Sequence, residues 1–586
     1  MPSPFVDPHA LSPIRPDGVP AIDIQSPAFD RPLRVGVLLD ALTAPRWVAK
    51  ILQDIRATQF LTLALVIVDA TDPEPAADTW SAWFARQRAA APYRLWEWYQ
   101  AADYQRFREE GLDPFEPTDV RPLLQDADVL QVKPLRTRFV DRFRPEDVQR
   151  VRDARLDVTL RFGFRIVKGE ILNAAQYGMW SLHHDDNRSY RGGPALFWEM
   201  YERNPESGTV LQILTDALDG GKVLYRSIAP TNFASLYKNR RATYWKSAEF
   251  MMRRLTDLHR EGWEYLQRLE TYDEPNTYAR GIYRRPTNGK MVRFLLQTYG
   301  YRLQQKVLST LAEQWVMAFR RRDSQDPFTI VDPPANCFYA DPFLAEQDGS
   351  TFVFFESYSY REGKGSISCA ELRATGIGEP RTVLAGPDHL SYPSLFQWRG
   401  EWFMVPETGA RRRVEIWRAR RFPDEWALET VAIDGVDACD ATVCEHDGRW
   451  WMFVTLCVAG GPRADEVSLF HADTPLGPWR AHRANPVISD AAHARPAGAL
   501  YRDGAALIRP SQDARGGYGH AITLSRVDRL TPREYRETPI GSVEPTWHPR
   551  VRGTHTIARS SAFEVIDGRL LRFRRHPKTE DGPRRA

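Results

Sequence analysis

The sequence predicts a multidomain protein: a doubly wound α/β domain, then a helical connector, then an all-β five-bladed propeller. Three observations carry this. The chain has 586 residues, more than one hydrophobic core usually serves. Its first third alternates apolar strand-like runs with helix-length segments. Its second half repeats a strand, a Gly turn and a second strand five times.

The α/β elements follow in order. Eight of the first 32 residues are proline, so 1–32 reads as a disordered tail. Leu33 to Asp40 (LRVGVLLD) reads as a buried strand and Pro45 to Ile55 as a helix. Leu61 to Val68, Asp128 to Val132 and Leu156 to Phe162 are further strands, which makes 33–238 one doubly wound domain. Ligands of such sheets sit at the carboxyl ends of the strands. From Asn239 to Glu270, and again from Gly289 to Leu308, apolar residues recur at helical spacing. The range 239–310 is therefore expected to be a helical connector between modules.

Over 311–575 the repeat takes over. The turn dipeptides are Asp348-Gly349, Arg399-Gly400, Asp447-Gly448, Asp503-Gly504 and Asp567-Gly568, at intervals of 48 to 64 residues. Each lies between two apolar or aromatic runs, and about 50 residues per unit suits a four-stranded blade. Asp341, Tyr392, Asp440, Pro496 and Ser560 each stand seven residues before their turn pair. Equal offsets imply equivalent positions on the innermost strands, and polar residues there imply a functional channel, since a plain core would use aliphatics. The remainder, 576–586, is a basic tail.

Composition narrows the function. The net charge of +3 gives no electrostatic case for nucleic acid or an anionic membrane. No run approaches the ~18 apolar residues of a membrane span, and the N-terminus does not read as a secretory signal. The aromatic supply (18 Trp, 22 Tyr, 28 Phe) suits a β-rich core and the stacking of rings on sugar faces. The five cysteines, Cys337, Cys369, Cys439, Cys444 and Cys457, lack zinc-site spacing and read as reduced core thiols of a cytoplasmic protein. His183, His184, Asp185 and Asp186 are potential metal ligands, but neighbours on a strand point to opposite faces, so no metal site is expected.

The segment GMWSLHHDDNRSYRGG, with Gly208-Thr209-Val210 and Leu218-Asp219-Gly220-Gly221 after it, carries the first chemistry. Formyl transfer to an amine needs a group that takes one proton and gives another, and support for a tetrahedral oxyanion. An imidazole does the first near neutral pH, and a nearby carboxylate orients it. In order and spacing these pieces resemble the formyltransferase family: glycinamide ribonucleotide, methionyl-tRNA and sugar-nucleotide N-formyltransferases. The likeness covers about 33–235. It implies that His183 is the acid–base group, that Asp219 orients it, and that Ser181 occupies the place of the family's oxyanion-supporting Asn. It further implies 10-formyltetrahydrofolate as cofactor, bordered by Phe162, Gly163, Phe164, Arg165 and Ile166. A hydroxyl is shorter than a carboxamide and has one donor, so Ser181 changes the oxyanion support.

The propeller carries a second constellation. Its Ala-Asp-Pro-Phe piece resembles five-bladed glycoside hydrolases of the arabinanase and xylosidase type, which makes Asp341, Glu356, Glu407 and Asp440 candidate carboxylates. The second-blade position reads Tyr-Pro-Ser, away from that family's pattern. The pieces YADPF, SYPSLF with VPET, ARPAG, RPSQD, YGHAI and GTHTI resemble the N-terminal region of plant glucosamine inositolphosphorylceramide transferases. That likeness implies a glycan setting and adds Ser394, Arg495, Arg509, Gln512, Tyr518 and His555. The leading expectation is a formyltransferase-like enzyme acting on an amino sugar or glycan precursor, with the propeller binding carbohydrate. The alternatives are a glycan-processing propeller beside an inactive formyltransferase-like domain, and a non-catalytic glycan-binding protein.

Overall fold

The computed structural model describes residues 29–71, 88–217, 220–272, 281–308, 311–322, 324–458 and 460–573. The protein is multidomain and mostly β-sheet, with two compact units that meet in sequence between Tyr301 and Arg302.

The first unit is built on a seven-stranded sheet. Its strands are β1 (Leu33–Leu39), β2 (Leu61–Asp69), β3 (Asp128–Val132), β4 (Val158–Arg161), β5 (Met179–His183), β6 (Glu206–Ile213) and β7 (Lys222–Pro230). The order across the sheet is β7-β6-β5-β4-β1-β2-β3. β3, β2, β1, β4 and β5 run parallel, and β6 and β7 complete one edge antiparallel. β1 is buried at every position but Arg34, because both faces of the sheet are covered. Helix α1 (Arg46–Ala57) buries Val48, Ile51, Leu52 and Ile55 in the same core as Val35 and Val37.

Among the described residues, the α-helices beyond α1 are α2 (Arg94–Phe107), α3 (Pro145–Asp153), α4 (Phe197–Glu202), α5 (Leu236–Glu261), α6 (Trp263–Gln267) and α7 (Asn288–Leu308). The helical stretch expected to be a connector begins with α5, which is instead part of this unit's core. It contacts α1, α2, β6 and β7, and its Trp245, Phe250, Met251, Leu255 and Leu258 join the β1 cluster. The apolar period was read correctly, but its buried face could not be assigned a partner from sequence. Ser235 caps α5 by accepting from Lys238 N–H at 3.2 Å. Asp103 on α2 accepts from Ser235 Oγ and Tyr237 N–H, each at 2.8 Å, placing a carboxylate at the helix's positive end. The expected tail also ends early. Arg31 pairs with buried Asp157 through two bonds of 2.7 and 2.8 Å, and Phe29 stacks on His259. Residues 1–28 and 574–586 lie outside the described residues.

Among the described residues, the second unit has five antiparallel sheets, four of four strands and one of five. One sheet combines the first and last strands of the unit: Leu311–Arg321 pairs with Phe563–Phe573 in unbroken register. The other four follow in chain order. Three hairpins turn at Asp348-Gly349, Arg399-Gly400 and Asp447-Gly448, with both residues at positive φ (51/78°, 53/79° and 51/71°). That pair of left-handed residues matches the twist of the flanking strands, and glycine occupies its second place at no steric cost. The fifth expected turn is wrong. Asp567 and Gly568 sit inside Phe563–Phe573, and the chain reverses at 560–562, where Ser560 N–H bonds Phe563 C=O at 2.8 Å. Ser560 is thus a turn residue.

Three of the equal offsets have a structural cause. Asp341, Tyr392 and Asp440 each occupy a β-bulge, between Ala340 and Phe343, Ser391 and Ser394, and Cys439 and Thr442. Each has a positive φ, of 54, 45 and 53°. A bulge leaves backbone groups unpaired and re-aims a side chain, so it marks a place where strand pairing is given up for something else.

Candidate functional site

In the first unit, β1 is flanked by β2 on one side and β4 on the other, so chain order reverses there. Ligands of open α/β sheets bind outside the carboxyl ends of strands at such a point. Arg161 ends β4 and His183 ends β5, with Ser181 two residues earlier. Ser181 is buried, and its Oγ accepts from Arg161 Nη1 at 3.2 Å. One of its two lone pairs is thus taken by a cation, and its hydroxyl donates to the Leu182 carbonyl at 3.4 Å. His183 Nε2 lies 3.1 Å from the Tyr190 carbonyl oxygen. Asp219, expected to orient His183, lies outside the described residues.

The neighbours of His183 form a built interior. His184 stacks on Tyr244 (centroids 3.7 Å, 8°) and lies 3.0 Å from Ser247 Oγ. Burial first, then the nearby His183 and Arg240 charges, depress its imidazole to about 3. Asp185 is buried, accepts from Leu196 N–H at 2.7 Å, and is raised to about 6 by burial. Glu199 on α4 is fully buried beside it and is raised well above the carboxylate range, by burial and then by Asp185. Asp186 alone keeps a surface role, paired with Arg226 at 2.5 Å and Arg188 at 2.9 Å.

The loop expected to border a folate is closed by its own bonds. Arg161 Nη2 donates to the Phe164 and Arg165 carbonyls at 2.8 and 2.5 Å. Phe164 N–H donates to Asp40 Oδ1 (2.5 Å) and Arg165 N–H to Asp141 Oδ2 (2.9 Å). Ile166 N–H bonds the Phe139 carbonyl at 3.1 Å. A Cβ on Gly163 would lie 2.4 Å from Asp40 N. Phe162 packs edge-on against Trp47 and Phe164 against Phe143. A pterin needs open backbone groups, and those of Phe164 and Arg165 are already paired. A ligand at this loop would have to share the Phe164 and Arg165 carbonyls with Arg161, since their N–H groups are already taken.

The second unit gathers most of its candidates into one network. Asp341, at the first bulge, accepts from Thr556 Oγ1 (2.9 Å) and from Tyr392 N–H (3.2 Å). His555 Nε2 lies 3.3 Å from Asp341 Oδ1, and its Nδ1 lies 2.7 Å from Asp567 Oδ2. Asp567 also accepts from the N–H groups of Asp341, His555 and Thr556. Burial opposes the His555 charge, but Asp567 and Asp341 outweigh it and raise its basicity. Asp341 is raised to about 6 by burial, which the imidazolium only partly offsets.

Asp440, at the third bulge, accepts from Arg495 Nε at 2.5 Å and Gln512 Nε2 at 2.9 Å. Its N–H donates to Glu407 Oε2 at 3.2 Å. Burial, then Cys439 and Asp440, raise Glu407 well above its ordinary value. Tyr392 connects the halves: its hydroxyl is 2.8 Å from Thr442 Oγ1 and accepts from Gly498 N–H at 2.8 Å. Tyr518, 51% exposed, contacts both His555 (5.2 Å) and the Arg495 guanidinium (5.4 Å), so the network meets solvent at this ring. Trp315 also packs on His555, at 4.2 Å, and contacts the Tyr518 ring at 6.2 Å.

Three candidates stand apart. Arg509 is buried in a bidentate pair with Glu537 (2.6 Å twice) and donates to the Ala494 and His493 carbonyls. Its guanidinium is thus engaged inside the protein, with Glu537 of the same sheet. Glu356 sits opposite Ala340 in register, 3.5 Å from His389. Ser394, just past the second bulge, is buried. Sequence reasoning missed Asp567 because an Asp-Gly pair reads as a turn. The signal that could have found it is the long apolar alternation of Phe563–Phe573 running straight through that pair.

Comparison with known proteins divides along the same lines. Residues 329–562 match the family model described as glucosamine inositolphosphorylceramide transferase 1, N-terminal. The chain is 36% identical over 212 residues to glucosamine inositolphosphorylceramide transferase 1 of Oryza sativa subsp. japonica, covering 35% of this chain and 28% of that protein. The Arabidopsis thaliana protein of that name is 32% identical over 218 residues, 36% of this chain and 28% of the other. The chain thus spans little over a quarter of the length of these relatives. A methionyl-tRNA formyltransferase of Bacillus thuringiensis subsp. konkukian is 32% identical over 108 residues, 18% of this chain and 33% of that one. Among solved structures, a family 117 glycoside hydrolase of Zobellia galactanivorans aligns at 13% identity and a TM-score of 0.30, over 45% of this chain and 92% of that one. Glycinamide ribonucleotide transformylase 1 of Symbiobacterium toebii aligns at 16% and 0.23, over 44% and 94%. Alignments at these scores carry no weight. The family match does: it falls on the unit that holds Asp341, Asp440, Arg495 and His555.

Proposed function

We propose that the second unit is a five-bladed propeller and a glycan-processing transferase module, with its site at the Asp341–His555–Asp567 and Asp440–Arg495–Glu407 network. The observation that carries this reading is convergence. Six residues singled out in sequence (Asp341, Glu407, Asp440, Arg495, Gln512 and His555) lie in one buried network that three bulges create. The same stretch resembles proteins named for glucosamine transfer to a glycolipid.

Transfer to a sugar hydroxyl needs a proton acceptor for the incoming oxygen and a donor for the departing one. Asp341, raised to about 6, changes protonation close to neutral pH and suits either task. His555, gripped by two carboxylates, holds the compensating positive charge. Arg495 and Gln512 offer donors to an anionic or hydroxyl-bearing substrate, and the exposed Tyr518 ring a face for a sugar. The test is transfer from a panel of nucleotide-linked amino sugars to inositol-phosphate headgroup acceptors, using the full chain. Asp341→Asn and Asp440→Asn are expected to abolish product and His183→Ala to leave it. Product that persists in both Asn variants would overturn the reading.

One observation favours a second reading, formyl transfer in the first unit: Arg161, Ser181 and His183 sit at the carboxyl ends of β4 and β5 at the sheet's switch point. The paired Phe162–Ile166 loop argues against folate there. Formyl transfer to an amino sugar that disappears in His183→Ala would establish it.

A further inference from the structure

Cys439 and Cys457 do not behave as isolated core thiols. Their sulfurs are 3.6 Å apart, on neighbouring strands joined by the Cys457 N–H bond to the Asp437 carbonyl. Arg463 Nη2 donates to Cys439 Sγ at 3.2 Å, while the same guanidinium grips Asp437 at 2.7 and 3.0 Å. Asp437, Cys439 and Cys457 could together ligate a metal, but Arg463 already supplies the positive charge at that spot. Cys439 is buried and Cys457 half-buried, so a small oxidant reaches the pair, and the Cys439 sulfur, past Cys457.

A thiolate flanked by an arginine and a second thiol is the arrangement of a reactive dithiol. The Cys457 hydrogen bond, then Arg495 and Arg463, lower the Cys439 thiol to about 7 against the effect of burial. The three remaining cysteines have no such surroundings: burial pushes Cys369 and Cys444 up to about 12 and raises Cys337.

We infer that Cys439 and Cys457 form a modification site, a dithiol that hydrogen peroxide oxidises reversibly to a disulfide beside the Asp440–Arg495 pair. The Cys439 thiolate attacks one peroxide oxygen, the O–O bond breaks, and the departing hydroxide takes a proton to become water, leaving a sulfenic acid. The Cys457 sulfur then attacks that sulfur. The S–S bond forms, the S–O bond breaks, and the second hydroxide leaves as water with the Cys457 proton. Two thiols and one peroxide give one disulfide and two waters. The sulfurs must close from 3.6 Å to a bond of about 2 Å. The site is independent of any glycan chemistry. Cys439 precedes Asp440 in the chain, and Arg495 Nη1 bonds the Arg463 carbonyl at 3.4 Å, so oxidation would touch that network directly.

The test uses the full-length chain, reduced and then exposed to hydrogen peroxide at neutral pH. Thiol counting after denaturation should show two of the five thiols lost. A digest without reductant should give one cross-linked pair of peptides carrying Cys439 and Cys457, and dithiothreitol should restore both thiols. In Cys457→Ser the reaction should stop at a sulfenic acid on Cys439, captured by a dimedone probe. Arg463→Gln should slow disulfide formation about tenfold at pH 7 with the same end product, as the thiolate fraction falls. Retention of all five thiols under peroxide that fully oxidises free glutathione would overturn the inference. So would a disulfide that engages Cys337, Cys369 or Cys444, or an unchanged rate in Arg463→Gln.

Discussion

Arg495 donates its Nε hydrogen to Asp440 Oδ2 at 2.5 Å, joining two buried residues 55 positions apart in the chain. Asp440 can receive it because the bulge at Cys439–Thr442 turns its side chain out of the strand-pairing pattern. The same carboxylate accepts from Gln512, and its backbone N–H is taken by Glu407. One bulge thus fixes four of the candidate site residues.

Removing that carboxylate leaves a buried guanidinium without its partner. Asp440→Ala should therefore cost about 3–5 kcal/mol, and Asp440→Asn, which keeps an acceptor, clearly less. Urea unfolding of both variants checks this. Equal losses would show that the charge is not what matters.

Arg509 and Glu537 give a stability change with a defined sign. Burial opposes the Glu537 charge, but Arg509 outweighs it and lowers the carboxyl from 4.5 to about 2. A depressed folded value means the contribution is full above pH 4.5 and lost as pH falls through about 2. Its size is about 3 kcal/mol. Glu537→Gln should flatten the stability curve across that window, measured by denaturant midpoint at each pH.

His184 acts at higher pH. Its imidazole is depressed from 6.5 to about 3, so it stays neutral in the folded protein. The unfolded chain binds the proton first. Folding therefore loses stability as pH falls from 6.5 towards 3, by several kcal/mol. His184→Gln should remove this part of the acid sensitivity, and the folded His184 ring resonances should show no titration between pH 5 and 8, a window about the ordinary histidine value.

Asp567 is a positioning residue for His555. Neutralising it as Asp567→Asn should move the His555 titration about 1–3 pH units lower. If Asp341 and His555 act together, the acidic or basic limb of the activity profile should move with it. A His555 titration that does not move would remove Asp567 from the site, even if activity falls through loss of structure.

How much of this was legible beforehand depended on the range of the interaction. β1, α1, β2 and β3 were read within two residues of their ends, because each carries its own apolar period or run. Four of the hairpins were read from their turn pairs for the same reason. Asp185 and His184 were not legible. Nothing local distinguishes a buried acid from a solvated one, and their surroundings come from α4 and α5. Arg509 was grouped with the site because RPSQD is one of the pieces that resemble the plant transferases, yet its guanidinium turns to Glu537 within its own sheet.

The sequence by itself determined the local elements: the apolar runs, the helical periods, and the turn pairs with their left-handed second residues. It also determined which polar residues recur at equal offsets. Tertiary structure alone decided that Asp341, Asp440, His555 and Asp567 share one network, that α5 belongs to the first core, and that two cysteines eighteen residues apart touch. The physical reason is that propensity and periodicity act over a few residues. Burial, charge pairing and bulge geometry depend on which strands the whole chain brings side by side.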